Sequence, residues 1–146
     1  SRNLIENYHI TFDESPIHND THFSYIVGFY AKNILIDIRV SYCVTMRANS
    51  TCKRKSIENS LVRIDIFSKQ DKFYKQNRIP VVKNEHFAEL TRLLIKNIRF
   101  FRKGFRILRY NGFSYCEIFY GLFRQILSNL KYDLFYGKNK SLCVFG

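Results

Sequence analysis

Tryptophan is absent from the 146 residues, proline occurs twice, glycine six times, and alanine stands only at positions 31, 48 and 88. With 46% hydrophobic and 25% charged residues, the composition is that of a globular chain. No apolar run exceeds a few residues, which excludes a membrane-spanning helix. Acidic residues are the next scarcity: 12 Asp and Glu face 24 Lys and Arg, for a net charge of +12 and a pI near 9.7. A domain this basic attracts polyanions, and nucleic acid is the commonest of them. A membrane surface would require a basic helix with an exposed apolar face. What is abundant is Phe (14) and Tyr (10), together with Ile, Asn and Lys, the residues of AT-rich codons. That bias suggests an AT-rich genome such as an organelle's.

Four cysteines, Cys43, Cys52, Cys116 and Cys143, form no CxxC pair. His9, His18, His22 and His86 do not complete a zinc spacing, so no metal or cofactor is expected. Cys43 and Cys116 fall in apolar alternating stretches and read as buried free thiols. Asn19, Asn49 and Asn139 each open a glycosylation sequon, and no apolar segment of signal type stands at the N-terminal end.

Residues 1–21 are polar and read as an arm. From His22 to Met46 the chain reads as β-rich, with Ile34, Ile36, Ile38 and Val40 alternating as a strand. Residues 47–59 form a basic loop containing Lys53, Arg54 and Lys55. Leu61–Phe67 alternates again, and the polar stretch 68–83, broken by Pro80, marks a boundary between two halves. From Asn84 a long helix is predicted, with Glu85 and Glu89 in its first turns and Gly104 at its end. Phe87, Leu90, Leu94, Ile98 and Phe101 fall on one stripe of it, and Arg92, Lys96, Arg99 and Lys103 on another nearly opposite. Such a basic row can meet successive phosphates. Phe105–Tyr110 reads as a strand, and Asn111-Gly112 as a type I′ hairpin that pairs Arg106 with Glu117. Leu122–Leu130 reads as a short second helix. Tyr132–Tyr136 and Leu142–Phe145 read as strands flanking the basic loop Gly137–Lys140. The expected fold is therefore α+β: antiparallel strands, one long basic amphipathic helix, a second short helix and a β-rich N-terminal half, divided as 1–83 and 84–146.

No phosphate-binding loop, dinucleotide fingerprint or acid–base pair is present, so no enzymatic activity is expected. Tyr25–Asn33 (YIVGFYAKN) resembles the helix-end motif of LAGLIDADG homing endonucleases. That chemistry needs an acidic residue at the helix end to hold a divalent metal, and Ala31, Lys32 and Asn33 stand there instead.

The second half carries a further resemblance. Lys103-Gly104-Phe105-Arg106-Ile107, then Gly112 to Glu117-Ile118, then Leu127 to Tyr136, then Ser141 to Gly146 follow one another in order. This succession resembles the C-terminal domain of small-subunit ribosomal protein three, whose pattern runs KG-[IF]-[KR]-[IV], SGRxGGAEI, LxxLxxDIxY and TxYGxxGVKVWI. It covers about residues 86–146. Arg92 and Arg99 fall on basic positions of that family. Phe113, Ser114 and Tyr115 replace its small and basic residues, and Phe87-Ala88 replaces a pair of its arginines. The first half holds no GxxG, so residues 1–83 would be at most a degenerate KH-like remnant.

The resemblance implies a structural constituent of the small ribosomal subunit, in the head near where mRNA enters. Its partners would be ribosomal RNA, neighbouring ribosomal proteins and mRNA. The basic, AT-biased composition points to a mitochondrial version. The RNA-binding residues expected are Arg92, Lys96, Arg99 and Lys103, followed by Arg106, Arg109, Lys131, Lys138 and Lys140. Two alternatives are a small secreted basic protein, such as a pathogen effector of RNase-like fold with Cys43–Cys52 or Cys116–Cys143 bridges, and a degenerate LAGLIDADG-type nucleic-acid binder.

Overall fold

The computed structural model describes residues 2–39, 56–80 and 84–136, with side chains through residue 132. Among these residues all regular structure is α-helical: α1 (Arg2–Asn7), α2 (Thr21–Tyr30), α3 (Ile57–Gln76), α4 (Glu85–Lys96), α5 (Ile98–Tyr110) and α6 (Tyr115–Tyr136). The α+β expectation is therefore overturned, and each expected strand within the described residues fails for a local reason.

Helix α2 replaces the start of the β-rich stretch because its rings repeat at helical spacing. Tyr25 and Phe29, four residues apart, both touch the Phe73 ring of α3, at centroid distances of 5.1 and 5.3 Å. The alternating segment at Ile34–Ile38 is irregular, with Leu35 and Ile38 almost fully exposed. A strand gains its stability from a neighbouring ladder, and no other strand exists among the described residues to supply one.

The second alternating run, Leu61–Phe67, lies inside α3. This helix is capped by Ser56, whose Oγ accepts from the Asn59 amide at 3.0 Å. Glu58 in its first turn and Lys75 in its last complement the helix dipole. Its buried residues include Ser60, Ile64, Ser68 and Asp71, spaced four, four and three apart. Three of these four are polar, so the stripe is invisible to a reading that follows hydrophobicity alone.

The predicted long helix is broken at Asn97, whose backbone is extended (φ −161°, ψ 106°). The Asn97 amide closes α4 by donating to the Leu93 carbonyl at 2.8 Å. Its side chain opens α5 by accepting from the amides of Arg99 and Phe100. Asparagine competes for backbone bonds in this way, which suits it to caps rather than helix interiors. The break changes the buried face. Phe87, Leu90 and Leu93 enter the core, while Leu94 and Ile98 are exposed.

Gly104 does not end a helix. It lies in the middle of α5, where a Cβ would come within 2.9 Å of Ile64 Cδ1 and 3.0 Å of Leu90 Cδ1, so its bareness lets α5 close on α3 and α4. The end comes at Gly112 (φ +91°). There the Gly112 amide donates to the Arg109 carbonyl and the Phe113 amide to the Leu108 carbonyl, both at 3.0 Å. With Leu108 and Phe113 both buried in the core cluster, this is a Schellman termination. The Asn-Gly pair therefore makes a helix–helix turn. A type I′ hairpin would require positive φ at Asn111 too, and its φ is −75°.

Helix α6 then begins with a capping box. Ser114 Oγ accepts from the Glu117 amide (3.2 Å), and Glu117 Oε2 accepts from the Ser114 amide (2.8 Å) and hydroxyl (2.9 Å). Glu117 is thus committed to Ser114, and no cross-strand pair with Arg106 forms. The expected short helix Leu122–Leu130 and the expected strand Tyr132–Tyr136 both belong to α6. The strand Leu142–Phe145 and the loop Gly137–Lys140 lie outside the described residues.

Helices α3 to α6 share one core of Ile64, Phe87, Leu90, Leu93, Leu108, Phe113, Ile118 and Leu122. Helix α2 packs on α3, and α1 on α2. Cys116 is free and exposed rather than buried; Cys43, Cys52 and Cys143 fall outside the described residues.

Candidate nucleic-acid interface

Helix α5 (IRFFRKGFRILRY) carries Arg99, Arg102, Lys103, Arg106 and Arg109 and no carboxylate. At 3.6 residues per turn these five fall within an arc of about 120° and span about 15 Å along the axis. The opposite side holds Gly104 and Leu108, both buried. That burial fixes the rotation of the helix and turns all five cations outward, each on an exposed residue. None of the five forms an ion pair with a carboxylate among the described residues.

The arrangement is costly in isolation. Five like-charged pairs stand three or four residues apart, each destabilising a helix by roughly 0.2–0.5 kcal/mol. Arg99 and Arg102 also oppose the positive end of the helix dipole. Neither the cap nor the core contacts of α5 use these side chains, save Arg109. Its Nη1 donates to the Phe113 carbonyl at 2.6 Å. Its guanidinium lies 4.2 Å from the centroid of Tyr115. Lys103 Nζ lies 4.9 Å from the Phe100 ring, which leaves its charge at the surface.

The break at Asn97 divides the row expected on a single helix. Arg99 and Lys103 belong to the α5 stripe, together with Arg106 and Arg109. Lys96 is exposed at the end of α4. Arg92 sits in the seam between α4 and α3, its Nη1 3.3 Å from Glu89 Oε2 and 3.4 Å from Ser60 Oγ. Glu89 also meets Arg63 at 3.4 Å, so one carboxylate holds two guanidinium groups in that seam. Lys131 is exposed on α6, and Lys138 and Lys140 lie outside the described residues. Arg102 completes the stripe; a single helix from Asn84 leaves it outside the basic row. Registering the helix on a start at Asn97, rather than at Asn84, would have found it.

The described residues hold one other group of chemical interest. Asp71 and His86 are both buried, with Asp71 Oδ2 4.0 Å from His86 Nε2. Lys75 Nζ reaches Asp71 Oδ2 at 2.9 Å, an ion-pair distance without hydrogen-bond geometry. Both Asp71 oxygens and His86 Nε2 thus lack a hydrogen bond. Burial pushes the His86 imidazole down to about 4; Asp71 opposes the fall and Lys75 adds to it. A cavity of about 60 Å³ nearby is lined by Lys72, Lys75 and Glu117 among others, but by neither Asp71 nor His86. On α2, burial pushes the Tyr25 phenol up to about 12, with Asp13 and Tyr74 adding to the effect. No group of three or more His, Cys, Asp or Glu among the described residues is placed to hold a metal. No helix among them is long and apolar enough to cross a membrane.

Helix α2 ends at Tyr30 and Ala31 is extended, so Tyr25–Asn33 does span a helix end, as the homing-endonuclease resemblance implies. The position that would need an acid remains without one. The strands that local patterning predicts at Phe105–Tyr110, after the Asn111-Gly112 turn and at Tyr132–Tyr136 are replaced by α5 and α6. The sequence matches no protein-family model, and neither a curated protein nor a solved structure matches it significantly.

Proposed function

We propose that this protein binds RNA through the exposed face of α5, as a structural and non-catalytic member of a ribonucleoprotein particle. The observation that carries this reading is the α5 stripe. Arg99, Arg102, Lys103, Arg106 and Arg109 are held outward by a core-facing glycine and leucine, without carboxylates on their own helix. The cations repel one another, so the array is stabilised by whatever polyanion neutralises it. Guanidinium groups dominate it, and their planar donors match phosphate oxygens in pairs. Lys96 and Lys131 extend the basic surface beyond α5.

Within this reading, the small subunit of a mitochondrial ribosome is the particle we propose. The high charge, the AT-biased composition and the ordered motifs of the second half support it. The basic stretch that the resemblance aligns is divided at Asn97 between α4 and α5, and its cations lie on both. Sedimentation of native extract with detection of this chain tests it. The chain should travel with a small-subunit particle and be released by high salt or by RNase. Sedimentation as a free monomer under all conditions would defeat it.

A further inference from the structure

Beside the cation stripe lies a row of exposed rings. Tyr115, Phe119 and Phe123 follow one another at four-residue spacing along α6, and each is more than half exposed. The Phe105 ring of α5 bridges the two helices, with its centroid 5.9 Å from Tyr115 and 6.1 Å from Phe119. The last cation of the stripe, Arg109, lies over Tyr115. Arg124 approaches Tyr120 on the same helix, at 5.9 Å. Rings and cations therefore form one continuous surface rather than two separate patches.

Resting on the RNA-binding reading above, we propose that the nucleic acid recognised is single-stranded, its bases stacking on Phe119 and Phe123 while its phosphates follow the α5 stripe. A paired helix presents phosphates but keeps its base faces to itself, so the stripe alone would suit a duplex and the rings would have no use. A single strand offers both kinds of group at once. The charge distribution argues for this occupant over a protein one. Closing two copies of the chain over these rings would bring two stripes of five cations toward each other. An apolar partner helix would bury the Arg109 guanidinium, which is already held by the Phe113 carbonyl. Farther along α6 the exposed face becomes aliphatic at Ile126, Leu127 and Leu130, so the stacking platform ends at Phe123.

The test compares a fluorescent oligo(U) strand with an RNA duplex of the same length at equal salt. Wild-type protein should prefer the strand. Phe119→Leu, at an exposed site, should weaken strand binding by about tenfold. It should leave duplex binding, the salt dependence and the helical circular dichroism unchanged. Phe123→Leu should behave alike, and Phe119→Tyr, which keeps the ring, should retain the wild-type affinity. Equal affinity for strand and duplex, with Phe119→Leu silent on both, would overturn the stacking proposal and leave the cationic reading standing. Absence of salt-dependent binding to either probe would overturn the cationic reading itself. A wild-type dimer that Phe119→Leu converts to a monomer would show that the rings serve a protein interface, and would also overturn the proposal.

Discussion

The Asn111 side-chain amide donates to the Ser68 hydroxyl at 2.7 Å, across 43 positions of sequence, and also to Asp65 Oδ1 at 3.0 Å. Ser68 and Asn111 are both buried. This polar tie fastens the turn between α5 and α6 to α3, and so orients both the cation stripe and the ring platform. Asn111→Ala removes both bonds and leaves the buried Ser68 hydroxyl and the partly exposed Asp65 carboxylate without this donor, at a cost of about 1–3 kcal/mol. Urea unfolding should show that loss as a lower midpoint with an unchanged slope.

Arg78 occupies the left-handed region (φ +56°) at the end of α3. Its amide donates to the Lys75 carbonyl, and that of Ile79 to the Tyr74 carbonyl, the same termination that Gly112 gives α5. A residue with a Cβ pays roughly 1 kcal/mol for that conformation. Arg78→Gly should accordingly raise stability by about 1 kcal/mol, as read by thermal or urea unfolding. A loss of stability would show that the Arg78 side chain makes a contribution larger than the backbone strain.

The buried His86 gives the fold a defined acid sensitivity. Its imidazole is held down to about 4 in the folded protein, against an ordinary value of 6.5. Between these values the unfolded chain binds a proton that the folded chain does not. Stability therefore falls as pH is lowered from 6.5 to about 4, by roughly 3 kcal/mol, and levels below that for this group. The Ser114 amide and hydroxyl, with Lys75 adding, hold the Glu117 carboxyl below its usual range. Its contribution is present above the usual carboxylate range and is lost at lower pH still. Urea unfolding at pH 7 and pH 5 separates the two groups. His86→Phe should flatten the wild-type decline between these pH values.

Stability and binding should oppose each other on α5. The double substitution Arg102→Gln, Arg106→Gln removes four of the five like-charged neighbour pairs while keeping a good helix former at each site. It should raise stability by about 1–2 kcal/mol and the Tm by a few degrees. A lowered Tm would mean that these arginines support the fold.

The legible parts of the sequence were those in which one physical signal acted alone. The net charge, the helix start near Asn84 and the outward placing of Arg99 and Lys103 follow from composition and from 3.6-residue spacing, whereas Arg106, read as a strand residue paired with Glu117, does not. The buried face of α3 was not legible, because Ser60, Ser68 and Asp71 occupy core positions that a hydrophobic pattern passes over. Asn111-Gly112 misled because hairpins and Schellman termini both need a left-handed glycine. The deciding signal stood just beyond it, where Ser114 and Glu117 have the spacing of a capping box. Asn97 misled in the opposite way. The charges and apolar residues on either side of it keep helical spacing, which hides its helix-opening side chain.

Neutralisation of phosphates by the α5 cations is read from the affinity of the protein for an RNA oligonucleotide as a function of salt, measured for the wild type and for Arg102→Gln, Arg106→Gln. The logarithm of affinity should fall linearly with the logarithm of salt concentration, and the double variant should lessen that slope by about 1.4–1.8, the share of two phosphate contacts. An identical slope for the two proteins, or a wild-type affinity indifferent to salt, would contradict neutralisation by these cations.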